Sequence, residues 1–151
     1  MTRSMIILGC LSIAGAAALL VQVRSEASAG GVPYTDPAAV FQGAQLYEEN
    51  CASCHGDALQ GEADWRSRDE EGYLPAPPHD ASGHTWHHPD EQLIAITTQG
   101  TEAIVGNGYR SRMIGFGDSL SADDILAVLA FIKSTWPQDI IDQHNLINAE
   151  R

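Results

Sequence analysis

Cys51-Ala52-Ser53-Cys54-His55 is the stretch of this chain from which its fold can be inferred. Two thiols three positions apart can each add across one vinyl group of a single porphyrin. The histidine that directly follows the second thiol can then bind the iron as its proximal ligand. The stretch therefore predicts one covalently attached c-type haem, with Cys51 and Cys54 as its thioether links and His55 as an axial iron ligand.

Two other uses of a Cys-x-x-Cys pair fit this chain poorly. A zinc site normally needs a second pair of ligands at similar spacing, and the one other cysteine, Cys10, lies in an apolar N-terminal run. A thioredoxin-like redox pair needs a βαβ context, whereas the flanking sequence has helical spacing and few β-branched runs. Haem attachment is the interpretation that also explains why His55 directly follows the second cysteine.

Residues 1–29 have the pattern of an export segment. Residues 4–23 hold no charge and follow Arg3, and Ala27-Ser28-Ala29 is a sequence that a signal peptidase could cut. The uncharged run is also long enough to span a bilayer, so an uncleaved N-terminal membrane anchor is the competing interpretation. Either form predicts a periplasmic protein, soluble after cleavage near Ala29 or tethered to the cytoplasmic membrane through residues 4–23.

The acidity of the chain limits its partners. Twenty acidic residues against eight basic ones give a formal charge of −12 at pH 7, and cleavage after Ala29 would make the charge more negative. Nucleic acid and anionic membrane surfaces are therefore poor partners. We expect redox partner proteins with a basic or apolar docking surface; the alternative is that the acidic residues mainly keep the protein soluble.

The chain is long enough for one domain and the export segment. Residues 30–36 are predicted to be a linker, residues 37–137 the domain, and residues 138–151 a C-terminal tail in which a short helix could form.

Three main helices are predicted in the domain, each from a capping signal at its start and a breaker at its end. They run from Pro37 to about Asn50, from Asp90 to Gly100, and from Ser121 to Trp136. The segments between them, residues 56–88 and 101–117, are long, irregular and rich in proline or glycine. Such loops argue against a compact helical domain unless they wrap a cofactor that supplies the missing core. The pattern thus predicts an all-α domain with its loops around the haem.

The sixth iron ligand can be approached by elimination. Met113 is the only methionine outside the export segment, and it lies in the glycine-rich loop between the second and third main helices. That loop could bring the thioether over the distal face of the haem. We therefore expect Met113 opposite His55, with core filling as the alternative for this methionine. A backbone carbonyl from residues 75–78 is the expected acceptor for the second ring nitrogen of His55.

Four histidines ahead of the second main helix are rival ligands. They are His79, His84, His87 and His88. Any of them could give a bis-histidine haem, and their clustering also raises copper or zinc binding. More simply, they could cap turns, hydrogen-bond to haem propionates or face solvent. Their position favours a supporting wall of the haem site.

From about Pro37 to Pro137 the chain resembles the class I c-type cytochromes of bacteria. The resemblance rests on Gly43-x-x-Leu46-Tyr47 before the C-x-x-C-H motif, on Met113-x-x-Phe116-Gly117, on Leu120-Ser121, and on the helix end Ile132-Lys133-Ser134-Thr135-Trp136-Pro137. It implies a small class I cytochrome c fold in which the first and last main helices cross, with Gly43 against the face near Phe131. The chain departs from the family at Ile114, where a proline usually follows the ligand methionine.

The resemblance also implies one-electron transfer, with no substrate bond broken and therefore no enzyme activity of its own. The expected role is a periplasmic monohaem carrier in a respiratory or related redox chain. Two alternatives remain open: the electron-entry haem subunit of a larger oxidoreductase, and a catalytic or ligand-sensing haem protein with an open sixth site.

Overall fold

A computed structural model describes residues 31–150. The predicted export segment, with its membrane-anchor alternative, lies outside the described residues. The described part contains six α-helices and one 3₁₀ turn, which are α1 (Pro37–Asn50), α2 (Ala52–His55), the 3₁₀ turn (Thr85–His87), α3 (Asp90–Gln99), α4 (Thr101–Val105), α5 (Ala122–Ser134) and α6 (Gln138–Ala149). Within these residues the backbone forms no strand, only an isolated bridge between Gly100 and Ile114. The predicted all-α fold is confirmed.

The three predicted main helices correspond to α1, α3 and α5, and their ends follow the capping signals. Asp36 accepts a hydrogen bond at 2.9 Å from the backbone N–H of Ala38 at the start of α1. Ser121 and Asp124 form a reciprocal capping box at the start of α5. Gly100 ends α3 with a φ of +84°, a conformation that side chains other than glycine rarely adopt. None of the helices between residues 31 and 150 is both long and apolar enough to cross a membrane.

The crossing of α1 and α5 forms the frame of the domain. Gly43 lies where the two helices meet, and a Cβ atom there would overlap the carbonyl oxygen of Ala127 and lie 3.0 Å from Cβ of Phe131. The ring of Phe131 also packs against that of Tyr47, with 5.3 Å between the ring centres. The expected contact of Gly43 with the face near Phe131 is therefore confirmed.

The hydrophobic core extends from this crossing. Five of its twelve buried members come from α5, and the others come from α1, α2, α3, α6 and the segments outside the helices. They are Val32, Tyr47, Ala52, Leu59, Leu93, Ile125, Val128, Leu129, Ala130, Ile132, Trp136 and Ile141. The loop residue Leu59 and the C-terminal residue Ile141 show that the core is built beyond the three main helices.

A buried polar network joins both ends of the described chain to this core. Asp90 accepts a hydrogen bond at 2.9 Å from the backbone N–H of Val32, in the segment predicted as a linker. Lys133 lies 4.0 Å from the same carboxylate and donates to Asn145 of α6 at 2.8 Å. His144 is fully buried. Residues 138–149, predicted as a tail with a possible short helix, thus form a twelve-residue helix that packs against the domain.

Candidate haem-binding site

The C-x-x-C-H residues lie on one tight turn that continues directly from α1. The backbone N–H of Cys51 donates to the carbonyl of Tyr47 at 2.8 Å, and that of His55 donates to the carbonyl of Cys51 at 2.9 Å. Both Cys51 and Cys54 are free thiols. The helical winding of α1 and α2 therefore presents two thiols and an imidazole from five consecutive residues.

The two thiols of the motif differ in their exposure to solvent. Its side chain is half-buried, whereas that of Cys54 is exposed. Burial, with a smaller contribution from Cys54, raises the pKa of the Cys51 thiol to about 11. At neutral pH this thiol is therefore protonated.

His55 is held in a defined orientation. Its Nδ1 lies 2.8 Å from the backbone oxygen of Pro77, and its side chain is buried. Because a carbonyl can only accept, Nδ1 is the donor and Nε2 keeps its lone pair for a metal. Burial lowers the pKa of His55, although the hydrogen bond to Pro77 and the charge of Glu62 act in the opposite direction. The lowered pKa also favours the neutral imidazole. The expected acceptor in residues 75–78 is confirmed as Pro77.

Tyr47 supports this turn from α1, a role that the sequence did not reveal. Its hydroxyl donates to the carbonyl oxygen of Gly56 at 3.0 Å, and only 2% of the residue is exposed. The bond joins the last turn of α1 to the residue directly after His55. A tyrosine four positions before a C-x-x-C-H motif is the signal that could have suggested it.

His79 packs directly against His55. The two rings are stacked with their centres 3.9 Å apart, and His79 Nδ1 lies 2.8 Å from Thr85 Oγ1. Two imidazoles bound on opposite sides of one iron would have ring centres about 6 Å apart, since each metal–nitrogen bond is about 2 Å. The stacked arrangement makes His79 a wall beside His55. Burial, and then the charges of His55 and His84, lower the pKa of His79 well below its usual range.

The other three histidines lie apart from His55 among aromatic side chains. His84 is exposed and stacks on Trp65, and His87 is exposed and stacks on Trp86. His88 accepts a hydrogen bond through its backbone oxygen from His144 Nε2 at 2.9 Å. Among the described residues, no group of three or more histidine, cysteine or acidic side chains is arranged to hold a metal ion. The copper or zinc hypothesis gains no support from this arrangement.

Residues 101–105 form α4, and Met113 lies in the loop after this helix, outside the buried core. Its backbone N–H donates to Ser111 Oγ at 3.0 Å, and its carbonyl oxygen accepts from the backbone N–H of Thr101 at 3.3 Å. The residue is partly buried and lines a surface depression beside Gly100 and Ala103. None of its hydrogen bonds joins it to the His55 turn. The core-filling alternative does not describe this environment, because Met113 is not a member of the buried core and lines a surface depression.

The segment after Met113 is fixed along the end of α3. Phe116 and Gly117 donate from their backbone N–H groups to the carbonyls of Thr97 at 2.9 Å and Thr98 at 3.0 Å. Gly115 lies so close to this helix that a Cβ atom would be 2.7 Å from the Thr98 oxygen. Gly115 and Gly117 therefore serve close approach to α3.

Together these residues have the donor set of a covalent haem site. Two free thiols and an oriented, neutral imidazole occupy one turn. The indole Nε1 of Trp86 is in addition a buried donor that has no acceptor among residues 31–150. A carboxylate of a bound cofactor could satisfy such a donor.

Comparison with known proteins agrees with this site. The family model described as Cytochrome c matches residues 40–136. No curated protein and no solved structure was found to match the chain. Because the family match covers well over half of the chain, the protein belongs to the cytochrome c family, whose members carry covalently attached haem c and transfer electrons through it.

Proposed function

We propose that this protein is a periplasmic monohaem cytochrome that carries single electrons between redox partners in a respiratory or related chain. The observation that carries the proposal is the anchoring of His55, whose Nδ1 is fixed by the Pro77 carbonyl at 2.8 Å in a buried site. An imidazole held in this way presents Nε2 in one direction. When bound there, a haem supplies an iron that alternates between ferric and ferrous states without breaking a substrate bond.

The proposal assigns the site as follows. Cys51 and Cys54 would hold a haem through thioether bonds, and His55 and Met113 would bind its iron. His55 is supported by residues that keep it from turning, namely Pro77 through a hydrogen bond and His79 through ring stacking. Met113 is favoured as the other ligand because the stacked position of His79 beside His55 does not suit ligation across the iron.

A buried site and a thioether ligand set the direction of the reduction potential. A sulfur ligand favours the ferrous state, and the exclusion of water disfavours the extra positive charge of the ferric state. Both effects raise the potential. The role of this chain is therefore to hold both ligands while the iron changes its charge, which keeps structural rearrangement small.

The substitution Met113→Ala in the haem-loaded protein tests this assignment. The haem should stay covalently bound, because neither cysteine is changed. The reduction potential should fall by on the order of 0.1 V, since the choice of axial ligands spans about 0.8 V among haem proteins. Ferrous protein should bind carbon monoxide rapidly, whereas the parent protein should not.

Matched controls come from the rival histidines. His84→Gln and His88→Gln remove an imidazole without touching Met113, and both variants should keep the parent potential and the sulfur-to-iron charge-transfer band. A parent protein that lacks this band, and whose potential is unchanged in Met113→Ala, would show that a histidine is the sixth ligand. Rapid carbon monoxide binding by the parent protein would favour the ligand-sensing alternative with an open sixth site.

We place the protein outside the cytoplasmic membrane because covalent haem attachment and the segment at residues 1–29 both suit export.

Its negative charge favours redox partners with a basic or apolar docking surface. A purified monomer that exchanges electrons with a diffusing partner supports the carrier role. Stable association with an oxidoreductase would support the subunit role instead.

A further inference from the structure

The surface arginines of this acidic chain are concentrated on two loops. Four of its eight basic residues, Arg66, Arg68, Arg110 and Arg112, lie on the Tyr73 loop (residues 65–73) or on the Met113 loop (residues 106–117). The two loops are more than thirty positions apart in sequence, yet they are joined by several direct contacts. Arg110 and Arg112 make these hydrogen bonds between the loops.

Arg112, the residue directly before Met113, makes the densest of these contacts. Its Nη1 donates to Asp69 Oδ2 at 2.6 Å, and its Nη2 donates to Glu71 Oε2 at 2.7 Å. The guanidinium carbon lies 4.1 Å from the centre of the Tyr73 ring. Arg112 thus uses both outer nitrogens and its flat face at once, which a lysine cannot do.

Arg110 binds the same loop beside it. Its Nη1 donates to the backbone oxygen of Glu71 at 2.7 Å, and its Nη2 donates to Tyr73 Oη at 2.6 Å. Its guanidinium carbon lies 4.2 Å from the centre of the same ring. Two arginines on either side of Ser111 therefore share one aromatic ring.

The Tyr73 loop is itself held in shape by Asp69. The other carboxylate oxygen, Oδ1, accepts from the backbone N–H groups of Glu71 at 3.0 Å and Tyr73 at 2.8 Å. The backbone N–H of Asp69 donates to the Tyr73 oxygen at 2.8 Å. One carboxylate thus closes the turn with one oxygen and holds Arg112 with the other, so the arginines bind a preformed support.

The Met113 loop has a different support on each side of the methionine. After Met113 the backbone is bonded along α3 through Phe116 and Gly117. Before Met113 the backbone N–H of Ser111 donates to Glu102, and Arg110 and Arg112 donate to the Tyr73 loop. Arg68 of the Tyr73 loop also stacks over Tyr109, at 5.3 Å from the ring centre. The arginine contacts therefore control the freedom of the chain on the side of Met113 that α3 does not reach.

We propose that Arg110 and Arg112 are positioning residues for the sixth iron ligand, and that they keep the Met113 thioether in place by fixing the Met113 loop to Tyr73. The inference rests on the proposed role of Met113 as that ligand. If it is right, loosening the arginine contacts raises the rate at which the thioether leaves the iron, while the haem stays attached at Cys51 and Cys54.

The test uses ferric, haem-loaded protein and free imidazole, which binds when the thioether leaves. Arg112→Lys keeps the charge but removes the second hydrogen bond and the planar stacking. Imidazole binding should become about three- to tenfold faster, the effect expected for the loss of exposed cation–π and ion-pair contacts. Tyr73→Leu should give a similar increase without changing any charge.

Arg66→Lys is the matched control, because Arg66 lies on the Tyr73 loop but stacks over Trp65, its neighbour in sequence, at 4.0 Å. Arg66→Lys should change the rate of imidazole binding by less than about twofold. In the Arg112→Lys/Tyr73→Leu double variant, the increase in the rate of imidazole binding should be smaller than the product of the two single increases, because both changes break the same contact.

Three outcomes would overturn the proposal. Unchanged imidazole rates in Arg112→Lys and Tyr73→Leu would show that the contact does not act on Met113, and this result would leave the ligand assignment intact. An equal increase in Arg66→Lys would show a general effect of the loop surface. A sulfur-to-iron band that persists in Met113→Ala would refute the ligand assignment and with it this inference.

Discussion

Gly43→Ala is the substitution that most directly tests the packing of α1 against α5. Gly43 is a helical glycine, so alanine would be favoured by intrinsic helix propensity. The added Cβ, however, would overlap the carbonyl oxygen of Ala127 and lie 3.0 Å from Cβ of Phe131. The carbonyl belongs to the backbone of α5 and cannot turn away as a side chain would. The two helices would have to move apart.

The two opposing effects can be compared in magnitude. Alanine in place of glycine stabilises a helix interior by about 1 kcal/mol. Overpacking against a rigid neighbour costs about 3 kcal/mol, the upper part of the usual range. The net expectation is a loss of about 2 kcal/mol in the free energy of unfolding. For a domain of this size that corresponds to a melting temperature roughly 8 °C lower.

Thermal and denaturant unfolding of the haem-loaded protein, followed by far-ultraviolet circular dichroism, measures this loss. Gln45→Gly is the control, because Gln45 is an exposed position of the same helix and the change reverses the propensity effect without touching α5. Gln45→Gly should lower the free energy of unfolding by up to about 1 kcal/mol. If Gly43→Ala stabilised the protein by a similar amount, the close approach of the two helices would be refuted.

Two further predictions concern charge. Burial, and then the charge of Lys133, lower the pKa of His144, so the free energy of unfolding should fall as the pH drops below about 6.5, where the unfolded chain takes up a proton more readily. His144→Gln should reduce this slope in equilibrium unfolding, whereas His87→Gln, at an exposed position, should not. The electron-transfer rate with a cationic cobalt complex should fall as salt rises, and that with an anionic complex should increase. If salt changed both electron-transfer rates in the same way, the surface acidic residues would serve solubility alone.

The parts of the fold that depend on neighbouring residues could be predicted from the sequence. The ends of α1, α3 and α5 follow from Asp36, Gly100 and Ser121, because caps and breakers act within one turn. The thiols and imidazole of the site share one turn and required no knowledge of the tertiary fold. The crossing at Gly43 and an acceptor near Pro77 were expected from the family resemblance and from the needs of an iron-bound imidazole.

Contacts between distant residues could not be predicted in this way. Lys133 looks like an ordinary solvent-facing residue near the end of α5, yet it is 3% exposed because Asp90 and Asn145 approach it from other elements. The stacking of His79 on His55 depends on how the loop after α2 folds back. Sequence showed that this histidine was close in the chain to several others, but only the fold shows which ring it contacts.

The structure also shows how residues outside the main helices fix the two proposed iron ligands. Each proposed ligand is fixed through a neighbouring polar group: the imidazole of His55 by the carbonyl of Pro77, and the backbone of Met113 by Ser111 and Thr101. Hydrogen bonds of this kind restrict orientation, which hydrophobic contacts alone do not. An iron that changes charge without changing ligands requires such restriction on both sides. The helices α1 and α5 therefore provide the frame, while polar contacts made by the loops determine where the ligands lie.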